Sequence, residues 1–544
     1  MILTSDKKGF LLRSLIPAVL STLIFIIFLA SPRINTGDSK YTMLLSEQLF
    51  LHQSFALDEY FWPNVDSRNY PEVPPGKNLP RHIQRQAGHL YYVYPHGTSL
   101  LSVPLVAIMR LFGLSTINED GRYNAKNEKI MQKVAASFLM AVAGLVFFLT
   151  ARLLLNETWS VLIVLAASLG TQIWSSASRS MQSHAWSVLL LACGLYLVLR
   201  AELKRGELKP LLLATIFAAA FFVRPTAIAY ILPLAILVFL RFRRQFPWLV
   251  GGAILWLTFF FIYSLHYFHY YLPFYFRLGA ALKLETLGVG LPAQLISPSR
   301  GLFVYVPLTL CVAYLLIGYH RYLKHRSLIG ASAVSIVSHI LIVSSWWAWW
   351  AGGGGTYGAR FTTDLVPFFV LLGVLGIRAF LDRDEQQQKE CSVRMRPLRR
   401  TIETCVFGFI LSIGIVFNGA GAISRYAVSW NNLPEEVDQN PKRIFDWRHP
   451  QFLCALFPYK ISGTIKNKNG EGLPGVSVLF SEGGGSAVTN SKGKYSRRVG
   501  FGWSGQAQPV KRGLIFDPVI REYDKMSTSL TIEGYIASPG KNTQ

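Results

Sequence analysis

An aspartate, Asp38, stands just past the first long apolar run of the chain, in Gly37-Asp38-Ser39-Lys40-Tyr41. A carboxylate at the edge of hydrocarbon can take a proton from a hydroxyl. Desolvation there is expected to raise its pKa and make it a better base. The competing reading is a solvated or helix-capping aspartate. The polar stretch around it, residues 31–98, carries further acids at Glu47, Asp58, Glu59, Asp66 and Glu72. Its basic residues are Lys40, Arg68, Lys77, Arg81 and Arg85, and it closes in Tyr91-Tyr92-Val93-Tyr94-Pro95-His96-Gly97-Thr98. Asp58-Glu59 is a second acid pair, and Tyr41, Arg85 and His96 are further candidates to hold a substrate. Glu47 is expected on the solvated face of a juxtamembrane helix. Three later arginines, Arg224, Arg300 and Arg360, could stabilise a phosphate as charge develops on it; for each, anchoring of lipid headgroups competes. His184, at the mouth of an apolar run, is a candidate contact or a polar interface residue.

What must position these groups is a membrane. The chain has 544 residues, 51% hydrophobic, and apolar runs of about 17–25 residues recur, enough to cross ~30 Å of hydrocarbon. A net charge of +24 would point to nucleic acid in a soluble chain. Here the basic residues cluster in short loops beside apolar runs, as cytoplasmic loops do. Anionic headgroups or a lipid phosphate are therefore the expected partners, and nucleic acid is not. The five cysteines, Cys193, Cys311, Cys391, Cys405 and Cys454, have no metal or disulfide spacing.

Residues 11–30 read as an uncleaved anchor with a cytoplasmic N-terminus, although Leu29-Ala30-Ser31 also fits the exit of a signal peptide. Basic loops at Arg200 to Arg205, Arg241-Phe242-Arg243-Arg244, Arg321 to Arg326 and Arg383 to Arg400 are placed in the cytoplasm. Counting runs between them leaves both ends of residues 97–114 outside, so this Pro104-containing segment is read as re-entrant or surface-lying. Residues 209–240 become a tight helix pair turning at Phe222-Val223-Arg224-Pro225-Thr226, each arm ~21–24 Å long, with Arg224 below the outer surface. An intramembrane arginine is a functional candidate; a structural arginine holding carbonyls is its equal rival. Runs at 129–151, 158–175, 184–200, 248–265, 301–319, 328–345, 364–380 and 401–424 complete about eleven crossings. From about 425 the apolar runs stop. Residues 426–460 read as a linker, and residues 461–538 as short strands between turns. The fold class is an all-α polytopic membrane domain, residues 1–425, followed by a small all-β, Ig-like sandwich on the outer side.

Three stretches together resemble polytopic glycosyltransferases of the C superfamily (GT-C), the group with protein O-mannosyltransferases and aminoarabinose transferases. They are Gly37-Asp38 with Tyr41 after the first helix, Tyr94-Pro95-His96-Gly97 leading to Pro104, and Trp350 through Gly358-Ala359-Arg360 to Pro367. Ser297-Pro298-Ser299-Arg300-Gly301-Leu302-Phe303 is similar to bacterial members. The resemblance covers residues 10–425. It implies transfer of a sugar from a polyprenyl-phosphate donor to a cell-envelope acceptor, outside a bacterial inner membrane, with Asp38 as the base. The chain departs from the family at 176–184, where Arg179, Gln182, Ser183 and His184 stand and no second acidic motif is found. No metal ligand is assigned, and a divalent metal as cofactor is left open. Residues 461–538 resemble carboxypeptidase regulatory-like β-sandwiches through Ser462-Gly463, Gly475-Val476-Ser477-Val478, Gly483-Gly484-Gly485, Asn490 to Tyr495 and Trp503-Ser504-Gly505. A diphosphate-linked donor, a transporter and a non-catalytic scaffold are the rival readings.

Overall fold

A computed structural model describes residues 3–60, 79–277, 282–390 and 396–540. Asp66, Arg68, Glu72, Lys77, Cys391 and Arg394 lie outside the described residues. The chain forms two compact units. One holds residues 1–351 and 358–422, the other 352–357 and 423–544.

The first unit is helical. Among the described residues, six helices are long and apolar enough to cross a membrane: Ala125–Arg152, Ser183–Glu202, Phe246–Phe268, Arg326–Ser344, Arg360–Arg383 and Thr401–Ile423. The chain is read accordingly as a multi-pass membrane protein. Shorter apolar helices accompany them. Its first helices are α1 (Leu3–Ala30), α2 (Thr42–His52), α3 (Gly97–Leu111), α4 (Ala125–Arg152), α5 (Glu157–Leu169), α6 (Ser183–Glu202), α7 (Pro210–Val223) and α8 (Ile228–Arg241). Caps set several starts. Asn124 accepts from Asn127 N at 2.9 Å and Asn156 from Trp159 N at 3.0 Å, each meeting an N–H that the first turn leaves unpaired. The core is apolar across helices, with Ile24, Phe28, Met131, Met140, Phe147, Val164 and Val188 all buried together.

Two expected spans are broken. The run at 158–175 ends as α-helix at Leu169 and continues as a π-turn, Ile173–Ala177. The run at 301–319 divides into Leu302–Tyr305 and Leu308–Gly318. Pro307, which lacks an N–H, opens the second piece. The turn expected at Arg224 is present: α7 ends at Val223, Arg224 is extended, and a 3₁₀ turn from Pro225 leads into α8.

Glu47 corrects the sequence reading. It is fully buried on α2 and accepts from Thr116 N at 2.7 Å, Thr116 Oγ1 at 2.5 Å and Ser115 Oγ at 2.7 Å, besides pairing with Arg110. The first turns of α2 are buried from Thr42 to Gln48, so no solvated face exists there for it. Gly97 has to be glycine: a Cβ would lie 2.5 Å from the backbone of Phe222 and Val223, where α3 runs against α7.

The second unit contains two four-stranded sheets. With β1 (Ile83–Gln86) and β2 (His89–Tyr92) a hairpin of the first unit, its strands are β3 (Tyr459–Asn467), β4 (Ser477–Phe480), β5 (Gly485–Val488), β6 (Lys494–Val499), β7 (Gly505–Val510), β8 (Leu514–Asp517), β9 (Arg521–Tyr523) and β10 (Tyr535–Pro539). The orders are β6-β3-β10-β8 and β5-β4-β7-β9. Ile461, Tyr495, Phe516 and Tyr535 of one sheet share a core with Val478, Phe480, Ala507 and Tyr523 of the other. Alternation of buried and exposed residues, as in Gly505–Val510, gives each sheet one inner face.

Residues 426–460, expected to be a linker, are folded. Trp430 is buried beneath the Arg443 guanidinium, which lies 4.8 Å from the ring centroid. Asn431 Nδ2 donates to Gly354 O and Thr356 O, both at 2.7 Å, and Gln451 Nε2 to Thr356 O at 2.9 Å. Gly352 and Gly354 take left-handed φ of +69° and +56° in that segment, which suits glycine.

Candidate functional site

Asp38 sits in the turn between α1 and α2. The turn is held by α4: Ser39 Oγ donates to Gln132 Oε1 and Gln132 Nε2 to Ser39 O, both at 2.7 Å. Glu128, one turn earlier, accepts from Met43 N and Leu44 N at 3.1 and 3.0 Å, filling the open N–H groups that begin α2. Tyr92 Oη donates to the Asp38 carbonyl at 2.5 Å, and His82 Nε2 to the Gly37 carbonyl at 2.7 Å. Backbone and neighbours are thus fixed, while the Asp38 side chain itself stays 37% exposed.

Arg360 reaches Asp38 from 322 residues along the chain and forms an ion pair with it. It opens a 3₁₀ helix, Arg360–Leu365, just after Gly358, whose φ is +56° and whose absent Cβ makes room for the Tyr305 ring. Three contacts fix this turn. Gln172 Nε2 donates to Ala359 O at 3.0 Å and to Thr362 Oγ1 at 2.9 Å, and His339 Nε2 donates to Phe361 O at 2.9 Å.

The pair reverses the expected basicity of Asp38. Burial, the largest single influence, would raise its pKa, but the adjacent Arg360 charge and hydrogen bond, the Tyr94 hydroxyl 3.2 Å from Oδ1 and the charge of Arg81 together outweigh it, so the carboxyl is held at about 2. Tyr94 responds oppositely: burial, then the Asp38 charge, push its hydroxyl up.

A second cation lies close by. Arg224 Nε is 2.9 Å from Asp364 Oδ2, with its N–H aimed at Thr226 Oγ1, also at 2.9 Å. Nη1 donates to Ser183 Oγ at 3.0 Å and lies 3.4 Å from His184 Nε2. Since a guanidinium only donates, His184 Nε2 accepts and its Nδ1–H donates to Asp364 Oδ1 at 3.1 Å. The charges of Arg224, Asp38 and Arg360 all bear on the hydroxyl of Tyr275, which burial pushes up. Its ring is 5.7 Å from that of Tyr94.

The structure therefore brings Asp38, Arg360, Arg224 and His184 into one neighbourhood. The other candidates are elsewhere or otherwise engaged. Tyr41 is buried, edge-on to His82 and Tyr123, with a left-handed φ of 75°. Asp58 fastens the hairpin by accepting from Leu90 N at 2.9 Å and from exposed His89. Glu59 pairs with His52 at 3.4 Å on the surface. Arg85 is on β1 opposite Leu90. His96 is buried against Phe55; its Nε2–H donates to Tyr92 O at 2.8 Å and Nδ1 accepts from Tyr263 Oη at 2.5 Å. Burial lowers its pKa to about 4, so it is a neutral core histidine. Arg300 is wholly buried, donating to Trp350 O and Ser299 O.

Sequence reasoning missed Asp364. It was visible as a carboxylate at the first position of the apolar run 364–380, an expensive place for a charge. Tyr94 was legible only as part of Tyr94-Pro95-His96-Gly97 and was not named as a site residue, and Tyr275 carried no signal beyond its aromatic surroundings. Among the described residues, no group of three or more His, Cys, Asp or Glu side chains is placed to hold a metal ion. The four described cysteines are free.

No family model and no curated protein sequence matches the chain. Among solved structures it is similar to ArnT from Cupriavidus metallidurans in the apo state, at 11% identity, covering 78% of this chain and 79% of that one, with a TM-score of 0.46. It is also similar to the Archaeoglobus fulgidus oligosaccharyltransferase in the apo form, at 12% identity, covering 84% of this chain, with a TM-score of 0.46. The match to AglB of the same organism, in complex with an inhibitory peptide and a dolichol-phosphate, has 12% identity, 85% coverage of this chain and a TM-score of 0.43. The chain spans 62% of the length of those two. At this level the likeness concerns the course of the backbone alone.

Proposed function

We propose that this chain is an integral membrane glycosyltransferase. It moves a sugar from a polyprenyl-phosphate donor to a cell-envelope acceptor at the periplasmic face of a bacterial inner membrane. The observation that carries the reading is a half-exposed carboxylate directly after the first helix, paired with one arginine and neighboured by a second. Asp38 takes the proton of an acceptor hydroxyl. The acceptor oxygen attacks the anomeric carbon as the bond to phosphate breaks, with inversion. The departing polyprenyl phosphate carries the charge that Arg360 and Arg224 stabilise.

Asp38 paired with Arg360 is a weak base, and the donor supplies the remedy. Its phosphate competes with the carboxylate for the same guanidinium, whose planar fork suits either anion. As Arg360 turns to phosphate, burial raises the proton affinity of Asp38. The second unit, with its resemblance to carboxypeptidase regulatory-like domains, is assigned no catalytic part. The test is Asp38→Asn with a labelled polyprenyl-phosphate sugar. Transfer should be lost in a folded protein; wild-type rates from a well-folded variant would overturn the reading. Running a diphosphate-linked donor beside it separates the rival substrate class.

A further inference from the structure

Asp364 is a wholly buried carboxylate that touches no open space. It faces Arg224 on one oxygen and the His184 Nδ1–H on the other. The Nε–H itself goes to Thr226 Oγ1 and an Nη1–H to Ser183 Oγ, so Asp364 Oδ2 meets Arg224 by charge, 2.9 Å from Nε, without a hydrogen bond of its own. Arg224 is 15% exposed, and among the described residues no partner is found for its Nη2. The guanidinium is thus held at Nε and Nη1 and left open at Nη2, and its charge bears on the Tyr275 hydroxyl.

Such a grip costs the protein a buried charge, which is tolerated where it fixes a second charge in place. From this geometry we infer that Asp364 is a positioning residue: it holds Arg224 so that Nη2 presents an N–H to the phosphate of a prenyl monophosphate. The inference rests on the function proposed above and extends it to a residue that meets no substrate. The two acid–arginine pairs then differ in kind. Asp364 is sealed in and keeps its arginine; Asp38 is open to water and can release its own. His184 completes the arrangement by donating to Asp364, which fixes the carboxylate plane against Arg224.

Binding of farnesyl phosphate and of farnesol to the purified full chain in detergent tests this, with tryptophan fluorescence as the signal. The phosphate contribution is the ratio of the two dissociation constants. R224A and D364N should each lose roughly tenfold of that ratio, and the double variant should lose no more than R224A alone, because Asp364 acts only through Arg224. D364E, keeping the charge, should recover part of the loss, and farnesol binding should stay unchanged throughout. Multiplicative losses in the double variant, or an unchanged ratio in D364N, overturn the assignment. If D364N does not fold, S183A/T226A loosens the same guanidinium without touching a charge; wild-type phosphate preference in that variant also overturns it. Equal wild-type affinity for farnesol and farnesyl phosphate would instead count against the donor class proposed above.

Discussion

Replacing Arg360 by glutamine should change how the protein responds to acid. The Asp38 carboxyl is held at about 2 against an ordinary 3.8, the net of burial pushing up and of Arg360, Tyr94 and Arg81 together pulling down. At ~1.36 kcal/mol per tenfold change in proton affinity, that difference corresponds to about 2.4 kcal/mol. The side chain is 37% exposed, so solvent screening reduces its worth to the folded state to about 1 kcal/mol. A depressed carboxylate stabilises the fold above its unfolded pKa, and that contribution is lost as pH falls through the folded value. The wild-type advantage should therefore be full at pH 7, begin to shrink near pH 4 and vanish towards pH 2. In R360Q burial is unopposed by the main cation, so the Asp38 pKa moves up. Thermal unfolding in detergent from pH 3 to 7 would read this as a gap on the order of 1–2 °C that opens with rising pH. D38N should remove the pH dependence of that gap. A gap of equal size at every pH, or a D38N/R360Q variant showing strictly additive losses, would refute the coupling.

Glu47→Gln leaves Arg110 without its buried counter-charge and should destabilise the folded protein by about 3 kcal/mol, measurable as lowered thermal stability in detergent. Deleting everything from Ser429 onward removes Asn431 and Gln451, which hold residues 352–357. That truncation should unfold at lower temperature than one beginning at Tyr459, and equal melting would show the hold to be inconsequential. Single cysteines at Asn118, Arg243 and Ser496, in a background without the native five, should be labelled on intact spheroplasts by an impermeant thiol reagent at the first and last positions only. Labelling at 243 would reverse the orientation read from the basic loops.

Local signals in the sequence reached far into the fold and much less far into the site. Periodic apolar runs and Pro225 marked α7, the turn and α8, because a proline and an apolar length act on their own neighbourhood. The strands of the second unit were legible for the same reason, in alternation and turn residues. The Asp38–Arg360 pair was not: both residues were singled out, but nothing in spacing joins positions 322 residues apart. The expected pKa of Asp38 failed with it, since a boundary carboxylate without its partner would indeed be raised. Glu47 failed because a juxtamembrane helix was taken to have a solvated face there, when packing against α3 and α4 leaves its first turns none. Arg300 drew attention as a cation, whereas it is wholly buried and donates to the Trp350 and Ser299 carbonyls.

The short arms α7 and α8 have a further consequence for the lipid around them. Each has 14 residues and so reaches only about 21 Å, against ~30 Å of hydrocarbon. The bilayer answers such hydrophobic mismatch by drawing its leaflet inward next to the short helices. If the pair spans as the sequence reading has it, headgroups are expected to dip at that spot, bringing the phosphate plane towards the turn that carries Arg224. Acyl chain length is then expected to act on the protein: short-chain lipids match the pair without strain, and long-chain lipids have to deform to meet it.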